Sequence, residues 1–331
     1  MPRPYRIHLL YAGGTFGMLP GPQGLTPAPD LGSRLLPLLP DDWLQASGID
    51  LEISECQPPL DSSAMNCSHW FRLAAQLRQL DPKTHACILI QGTDTLAWSA
   101  SALHTLLPDL HCSLLLTAAM QPLAETGSDA LSNLMHALQQ AIELPRGSQG
   151  ICFNRQLLPP TRTRKFHSQS HQAFHAVESA AEHSSGGVWP DIAPLSLTDL
   201  QHLAEHFKPC LLRLPIIPGM DDNWLAKHLD GLDGLILEGL GSGNTPHLPR
   251  FFHLLQQMHN SGKPVGLVSQ CWQGGVTKDY ESAVGLHQAG VISLGQMTPE
   301  TAETRLTLLL ALQYMGKISF STLCDFWPDS I

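Results

Sequence analysis

The sequence predicts an α/β protein: a larger N-terminal domain with a mostly parallel sheet flanked by helices, and a smaller C-terminal α/β domain. A chain of 331 residues is long for one domain, since about 150 residues per domain is usual. Short apolar runs alternate with helix-like segments, as in a parallel sheet covered on both faces. A segment rich in Ser, Gly, Pro and acidic residues, from about Ser179 to Pro209, divides the chain. We expect an N-terminal domain at 1–185, a linker at 186–210 and a C-terminal domain at 211–331.

Each predicted strand is an apolar run that ends near a small or polar residue. In chain order the runs are IHLLYAGG, ACILIQGT, SLLLTAAM, GICFN, GLILEGLGSGN and VGLVSQCWQGG. The segments between them that are typical of helices are HWFRLAAQLRQL, SASALHTLL, DALSNLMHALQQAIEL, DNWLAKHL and PRFFHLLQQMHNSG. Each junction from strand to helix opens at the carboxyl edge of the sheet, where folds of this class bind ligands.

Composition excludes several classes of partner. The formal net charge is -10, so the chain lacks the basic field that attracts nucleic acid. No apolar stretch approaches the ~20 residues of a membrane span, and glycines interrupt the N-terminal run MPRPYRIHLLYAGG too early for a signal peptide. The eight cysteines are scattered without a C-x-x-C pair, as is typical of reduced, buried thiols. We expect a cytoplasmic protein that binds neither nucleic acid nor membrane.

Four segments that read as junction loops carry hydroxyls, a carboxylate or an amine beside small residues. They are GGTFGM at 13–18, LDSSAMN at 60–66, QGTDTLAW at 91–98 and RTRKFH at 162–167. Taken alone, each is more often a turn, a helix cap or a solvated charge. Because the carboxyl ends of parallel strands meet at one edge, three of these loops are expected to converge there.

Together the loops contain the parts of an acyl-transfer site. A threonine hydroxyl is a poor nucleophile until a base removes its proton. A lysine serves as that base if its surroundings lower its pKa, and a carboxylate can orient it. Backbone N–H groups at a glycine turn stabilise an oxyanion by about 3 kcal/mol per donor.

The motifs YAGGTFGM, LDSSAMN, QGTDTLAWSASAL, TRTRKFH, GLGSGNTP and SQCWQGGVTKDYESAVGLHQAGVISLGQMT span nearly the whole chain. In this order they resemble the bacterial-type L-asparaginase family, in particular its cytoplasmic type I group. The resemblance implies hydrolysis of L-asparagine to L-aspartate and ammonia without a cofactor or a metal. It also implies a homo-oligomer, at least an intimate dimer and possibly a tetramer.

The resemblance assigns catalytic roles to four residues. Thr15 matches the threonine that attacks the side-chain amide and forms the acyl-enzyme. Thr93 matches the residue that assists proton transfer and water attack. Lys165 matches the base, and Asp94 matches the carboxylate that orients it and receives the substrate's α-ammonium group.

Five further matches concern substrate binding. Asp61 and Ser62 match the pair that holds the amino-acid head group, with Ser62 bonded to the α-carboxylate. Gly14 and Gly92 match glycines that permit close backbone approach. Asn244 matches a residue that reaches the site of a neighbouring subunit.

The chain departs from the family pattern on the loop after the nucleophile. Family members usually carry a tyrosine there, which closes over the site and helps to activate it. The matching residue in GPQGLTP is Leu25. Tyr11 and Tyr280 are the nearest tyrosines along the sequence, and neither lies on this loop.

Other departures keep alternative functions open. Ala119 and Met120 replace Ser and Gln, and Gln91 stands where His is commoner. These changes motivate a catalytically weak amino-acid-binding sensor of the same fold as the alternative function. A third class, the amidase subunit of a tRNA-dependent amidotransferase, normally has an extra N-terminal domain, and the early position of the catalytic loop here argues against it.

Three further signals carry little weight. His167, His171 and His175 recur every four residues, but on a helix the outer two lie ~12 Å apart, too far to share a metal ion. The glycines of 240–246 lack the third glycine of a dinucleotide fingerprint. Glu238 stands where a basic residue is common in the family, so the resemblance does not decide whether the chain is allosterically regulated.

Overall fold

A computed structural model describes residues 4–177, 193–229, 231–277 and 281–328 of the chain. The chain divides into two compact units, the first formed by residues up to Ala176 together with Pro194–Ala204 and the second mainly by the chain from Glu205 onward. Across these ranges, the helices are all too short or too polar to cross a lipid bilayer.

The first unit is built around strands that the apolar runs predict. Its strands are β1 Tyr5–Gly13, β2 Met18–Gly21, β3 Gly24–Pro27, β4 Ile49–Leu60, β5 Ala86–Ile90, β6 Ser113–Thr117, β7 Gln149–Phe153, β8 Gln156–Leu158, β9 Thr163–Lys165 and β10 Phe174–Ala176. Its helices are α1 Leu31–Leu35, α2 Asp41–Ala46, α3 Cys67–Arg78, α4 Leu96–Leu106 and α5 Ala130–Glu143, and α6 Leu197–His206 follows.

The main sheet places the ends of its parallel strands at one level. Among the described residues it has six strands in the order β4-β1-β5-β6-β7-β8, of which only β8 runs antiparallel to its neighbour. The register sets Gly13 beside Leu60 and Ile90 beside both Tyr11 and Thr117. The loops after β1, β4, β5 and β6 therefore leave the sheet from the same edge.

The core of this unit lies between the sheet and α5. The fully buried strand residues Ile7, Leu9, Ile88 and Leu115 form one cluster with Leu134 and its neighbours on α5. Both strands and helix present apolar residues at the spacing that their periods require. The fold class predicted from this pattern is confirmed.

The second unit repeats the architecture on a smaller scale. Its elements are β11 Leu211–Pro215, α7 Asp222–His228, β12 Gly234–Gly239, α8 Pro249–Asn260, β13 Val265–Ser269, α9 Glu281–Gln288, β14 Ile292–Ser293, α10 Pro299–Tyr314 and α11 Phe320–Phe326. Strands β11 to β14 pair in chain order and run parallel. Apolar residues of α8, among them Phe251 and Leu255, cover one face.

Some expectations need correction. The segment with His167, His171 and His175 is not helical, because residues 163–165 and 174–176 pair as the antiparallel strands β9 and β10. RTRKFH is consequently not a simple junction loop. Buried thiols are found at Cys87, Cys112 and Cys152, whereas Cys210 and Cys271 are exposed.

The domain boundaries of 1–185 and 211–331 stay predictions. Part of the range predicted as linker, residues 197–206, forms helix α6. Its beginning, residues 186–192, lies outside the described residues.

Candidate active site

Three of the loops at the sheet edge touch through glycines. Gly14 has a φ of +83°, and a Cβ added there would overlap the backbone of Gly92. A Cβ added to Gly92 would overlap the side chain of Ser62 and approach the Cα of Gly14 to 3.1 Å. The amide of Gly14 also donates to the carbonyl of Leu60 at 2.9 Å. The loops after β1, β4 and β5 thus come together as the sequence predicts, and larger residues would separate them.

Thr15 begins a short 3-10 turn, Thr15–Gly17, directly after the positive-φ glycines. The turn is anchored to the core of the first unit, because the side chain of Phe16 is fully buried there. Thr15 itself is partly exposed. Its backbone is thereby fixed beside the loop that carries Thr93.

Lys165 joins the residues of the second predicted cluster. Its Nζ donates to Thr93 Oγ1 at 2.7 Å and to Asp94 Oδ1 at 2.7 Å. Thr93 is 6% exposed, whereas the side chains of Lys165 and Asp94 are 18% and 60% exposed. A buried hydroxyl, a mostly buried amine and a carboxylate open to solvent therefore stand in one hydrogen-bonded row.

The short strand β9 positions Lys165. Residue 165 pairs with Phe174 of β10, and Phe174 stacks edge-on against Phe153 with the ring centroids 4.9 Å apart. After the strand, the N–H of Phe166 donates to the carbonyl of Ala173 at 2.9 Å. The amine therefore projects from a hairpin whose backbone is tied on both sides.

The ion pair between Lys165 and Asp94 orients the amine. Asp94 Oδ1 lies 2.7 Å from Nζ on one side, and Thr93 Oγ1 lies at the same distance on the other. Because the side chain of Asp94 is 60% exposed, a cationic group that arrives from solvent can reach the same carboxylate.

Ser62 and Asp61 lie on the third loop. Ser62 is buried, and its carbonyl accepts a hydrogen bond from Thr95 Oγ1 at 2.9 Å, which links this loop to the loop after β5. Asp61 is exposed, and its Oδ1 accepts from the N–H of Ser63 at 2.9 Å. The capping interpretation of Asp61 is therefore correct, and it leaves the other carboxylate oxygen able to bind a ligand.

The loop after Thr15 is a β-hairpin of β2 and β3. Leu25 pairs with Pro20 and is 46% exposed. Tyr11 cannot replace a phenol on this hairpin, because its side chain is fully buried below Gly17. Burial also raises the pKa of Tyr11 to about 12, so its phenol stays neutral. Tyr280 lies outside the described residues.

Of the other departures from the family pattern in the first unit, Ala119 and Gln91 are buried and Met120 is partly buried. Ala119 belongs to the core of the first unit, and the N–H of Met120 donates to both oxygens of Asp129 at 3.0 Å. Gln91 is 1% exposed. Within the described part of the chain, neither polar atom of its side chain has a hydrogen-bond partner.

Two structural residues of the site were not predicted. Asp129 accepts hydrogen bonds from backbone N–H groups of the loop after β6. Arg34 donates a hydrogen bond to a backbone carbonyl beside the hairpin. The sequence offers only a weak signal for Asp129, the pair Ser-Asp before a helix, and none for Arg34. Asn244 lies in the second unit, in a turn closed by its bridge to Leu240.

One of the three regularly spaced histidines, His167, has a structural role. His167 Nδ1 accepts hydrogen bonds from the N–H groups of Gln169 at 3.0 Å and Ser170 at 2.9 Å. Among the residues that the structure describes, no three His, Cys, Asp or Glu side chains are grouped as metal ligands would be.

Family models match most of the chain. "Asparaginase, N-terminal" matches residues 6–187 and "Glutaminase/Asparaginase C-terminal domain" matches residues 213–317. The chain belongs to the asparaginase family. Among its relatives, L-asparaginase 1 of Escherichia coli (strain K12) is 30% identical over 92% of this chain and 91% of that protein. The 60 kDa lysophospholipase of Mus musculus is 28% identical over 92% of this chain but only 58% of its own length.

A solved asparaginase structure has the same fold. L-asparaginase I from Vibrio cholerae superposes with a TM-score of 0.79 over 99% of this chain and 98% of that chain. The two sequences are 24% identical, so this likeness concerns the fold alone. The superposition thus supports the asparaginase fold without reference to the sequence motifs at the sheet edge.

Proposed function

We propose that this asparaginase-family protein hydrolyses the side-chain amide of L-asparagine, giving L-aspartate and ammonia, with Thr15 as the nucleophile. The observation that carries the proposal is the row of Asp94, Lys165 and Thr93, with both Lys165 contacts at 2.7 Å. The contact between Gly14 and Gly92 brings this row beside the turn that begins at Thr15.

In the first half-reaction, Thr15 Oγ attacks the amide carbon of the substrate. The hydroxyl proton passes to a base, the carbon–nitrogen bond breaks, and ammonia leaves with the proton that the site returns to it. An ester then joins Thr15 to the β-carbonyl of an aspartyl group. Backbone N–H groups of the glycine loops are suited to stabilise the oxyanion that forms.

In the second half-reaction, a water molecule cleaves this ester. Lys165 takes the water's proton by way of Thr93. The Thr93 oxygen accepts the proton from water, and the Thr93 hydroxyl passes its own proton to the lone pair of Lys165 Nζ. Thr15 then recovers its proton, and L-aspartate is released. Every step uses side chains, backbone N–H groups and water, so the proposal includes no cofactor and no metal.

The head group of the substrate is expected to share Asp94 with Lys165. The side chain of Asp94 is 60% exposed, so it can receive an α-ammonium group from solvent. Ser62 and Asp61 of the adjoining loop are suited to bind the α-carboxylate and the α-ammonium group of the same molecule.

The cellular setting forms part of the same proposal. We infer a cytoplasmic homo-oligomer, at least an intimate dimer and possibly a tetramer, in which Asn244 reaches the site of a neighbouring subunit. Size measurement in solution tests this inference, and an active monomer would contradict it.

A second candidate function is binding of an amino acid without turnover. It is favoured by Leu25, which offers no phenol on the hairpin and is 46% exposed. Ala119 and Met120, on the loop after β6, support it as well. In this case L-asparagine binds, but the ester on Thr15 does not form.

Ammonia release and calorimetric binding of L-asparagine separate the two candidates. We expect release by the wild type, and loss of at least about 10³-fold in kcat for Thr15→Ala and for Thr93→Val. Thr105→Ala is the control, since this threonine lies on α4 and donates to the carbonyl of Ser101. Binding without ammonia release would favour the sensor. Undiminished turnover in the two variants would show that the nucleophile lies elsewhere.

A further inference from the structure

Arg34 donates hydrogen bonds to the chain on both sides of the hairpin formed by β2 and β3. The hairpin spans residues 18–27. Arg34 Nη2 donates to the carbonyl of Gly17, just before the hairpin, at 3.0 Å, and to the carbonyls of Ala28 and Pro29, just after it, at 3.2 Å each. One guanidinium group therefore joins the two chain segments from which the hairpin emerges.

The segment after the hairpin is held from the sheet as well. Glu55 of β4 accepts hydrogen bonds from the N–H groups of Asp30 at 2.8 Å and Gly32 at 3.1 Å. Glu55 is the direct neighbour of Tyr11 in the register of β4 and β1. Gly17 in turn lies against the buried ring of Tyr11. Both ends of the hairpin thus have a fixed point on the core.

The hairpin itself has little to hold it. Its residues are exposed or only partly buried, with none fully buried. Segments with few buried contacts open locally at a low free-energy cost. The position of the hairpin is consequently determined mainly at its base.

We propose that Arg34 is a positioning residue that fixes the base of this hairpin and so keeps it in place beside Thr15 during turnover. The inference rests on the proposed function, because the hairpin follows the proposed nucleophile directly. Charge-assisted hydrogen bonds are the stronger ones. The guanidinium also donates from Nε to the carbonyl of Asp30 at 3.3 Å, so it uses two nitrogens in one plane. A lysine ammonium is a single point of charge on a flexible stem and cannot reproduce this arrangement.

Hydrogen exchange tests the clamp without relying on activity. Amide exchange is followed by mass spectrometry in the wild type, Arg34→Ala, Arg34→Lys and the control Arg72→Ala, whose exposed arginine lies on α3. We expect residues 18–27 to exchange about tenfold faster in Arg34→Ala, with β5 and β6 unchanged, and an intermediate effect in Arg34→Lys. Arg72→Ala should match the wild type. Unchanged exchange of residues 18–27 in Arg34→Ala would overturn the proposal.

Kinetics distinguish positioning from simple support of the fold. If an ordered hairpin is needed for reaction, kcat/KM falls with the fraction of molecules in which it is ordered. We expect Arg34→Ala to lower kcat/KM measurably, by less than the factor by which hairpin opening increases, because only the fraction of molecules with an ordered hairpin reacts. KM should rise more than kcat falls, because saturating asparagine favours the ordered form. A purely structural arginine would lower the Tm and leave both constants of the folded enzyme unchanged, and this result would overturn the proposal.

The two readouts keep the proposals separable. A wild type that releases no ammonia would contradict the proposed function, while the exchange measurement would still decide whether Arg34 holds the hairpin. Normal turnover together with unchanged exchange in Arg34→Ala would contradict the clamp alone.

Discussion

The two units of the molecule build the same kind of sheet edge and use it differently. Each has a parallel sheet whose strands end in glycine-rich loops, GGT and QGTDT in the first unit and GLGSGN in the second. Gly14 and Gly92 in the first unit, and Gly239 and Gly243 in the second, allow backbone-to-backbone contact between or within these loops. Topology and glycine content therefore do not distinguish the two edges.

The polar groups distinguish them. In the second unit the edge groups bond to one another: Gln270 Nε2 donates to the carbonyls of Ile216 and Glu238 at 2.7 Å each. The carboxylate of Glu238 lies 3.4 Å from Arg213 Nε, and Ser269 Oγ donates to the carbonyl of Gly241 at 2.6 Å. These hydrogen bonds and this ion pair join the polar groups of the edge to one another and to the backbone, which is a structural role.

The first unit instead presents a hydroxyl and an amine in contact. Lys165 bonds to Thr93, a group that can pass on a proton, as well as to Asp94. If the first edge is the catalytic one, as we propose, the chemistry belongs to a few loop residues on a shared architecture, and not to the architecture itself.

The largest expected contrast is between the two cations at these edges. Lys165→Met should lower kcat for ammonia release about 10³-fold, because it removes the proposed base. Arg213→Met removes a cation from the second unit and should change kcat less than about twofold, while lowering the Tm through the loss of charged hydrogen bonds. Initial rates and thermal melts of both variants check this. Equal losses of kcat would refute the distinction between the edges.

A second contrast concerns glycines that have no room for a side chain. In Gly92→Ala the new methyl group would displace Ser62 and Gly14, and a shift of about 1 Å at reacting groups costs about 100-fold in kcat/KM. Gly266→Ala overpacks the second unit against Trp327 and should destabilise it by about 1–3 kcal/mol, with kcat/KM per folded molecule retained. Steady-state kinetics beside urea unfolding separate the two effects. Wild-type kinetics in Gly92→Ala would show that the close approach of the loops is not needed.

A smaller effect is expected on the hairpin. If the missing phenol limits acylation, Leu25→Tyr should raise kcat about threefold to tenfold, the effect of one added hydrogen bond. Leu25→Phe is the matched control, with the same ring and no hydroxyl, and should not change kcat. An equal rise in kcat for both variants would assign the effect to the aromatic ring. An unchanged kcat in Leu25→Tyr would show that the missing phenol does not limit acylation in this chain.

The smallest effect concerns pH and the stability of the first unit. Burial lowers the pKa of His104 below its ordinary 6.5, and burial lowers those of His69 and His85 as well. Below pH 6.5 the unfolded chain therefore binds more protons than the folded one. The free energy of unfolding that these neutral histidines contribute is complete above pH 6.5 and decreases as the pH falls below it. The Tm measured from pH 8 to pH 5 should drop on the acid side, and less steeply in His104→Gln. A Tm independent of pH in this window would contradict the assignment.

The interior strands were predictable because they are buried on both faces. Runs such as ACILI and SLLLT are entirely apolar, and they form β5 and β6. Strand β4 lies at the sheet edge, and its polar and apolar residues alternate, so continuous apolar runs do not reveal it. The hairpin of β2 and β3 is not distinguishable from a loop in the sequence, because its residues are exposed or only partly buried and show no apolar pattern.

The candidate site was predictable where its residues lie in family motifs. The resemblance groups Thr93, Asp94 and Lys165, and the structure brings them into contact. Arg34 and Asp129 were not, because they bind backbone carbonyls and amides, which any sequence supplies. The placement of Lys165 on strand β9 was also missed, since three residues give no readable period.

The most direct test of the account is the identity of the residue that becomes acylated. The enzyme is mixed with L-asparagine, quenched in acid during the first turnovers, digested and mapped by mass spectrometry, with Thr15→Ala as the control. The account predicts an aspartyl ester on Thr15 in the wild type and no adduct in Thr15→Ala. An ester on Thr93, or on any residue other than Thr15, would contradict it.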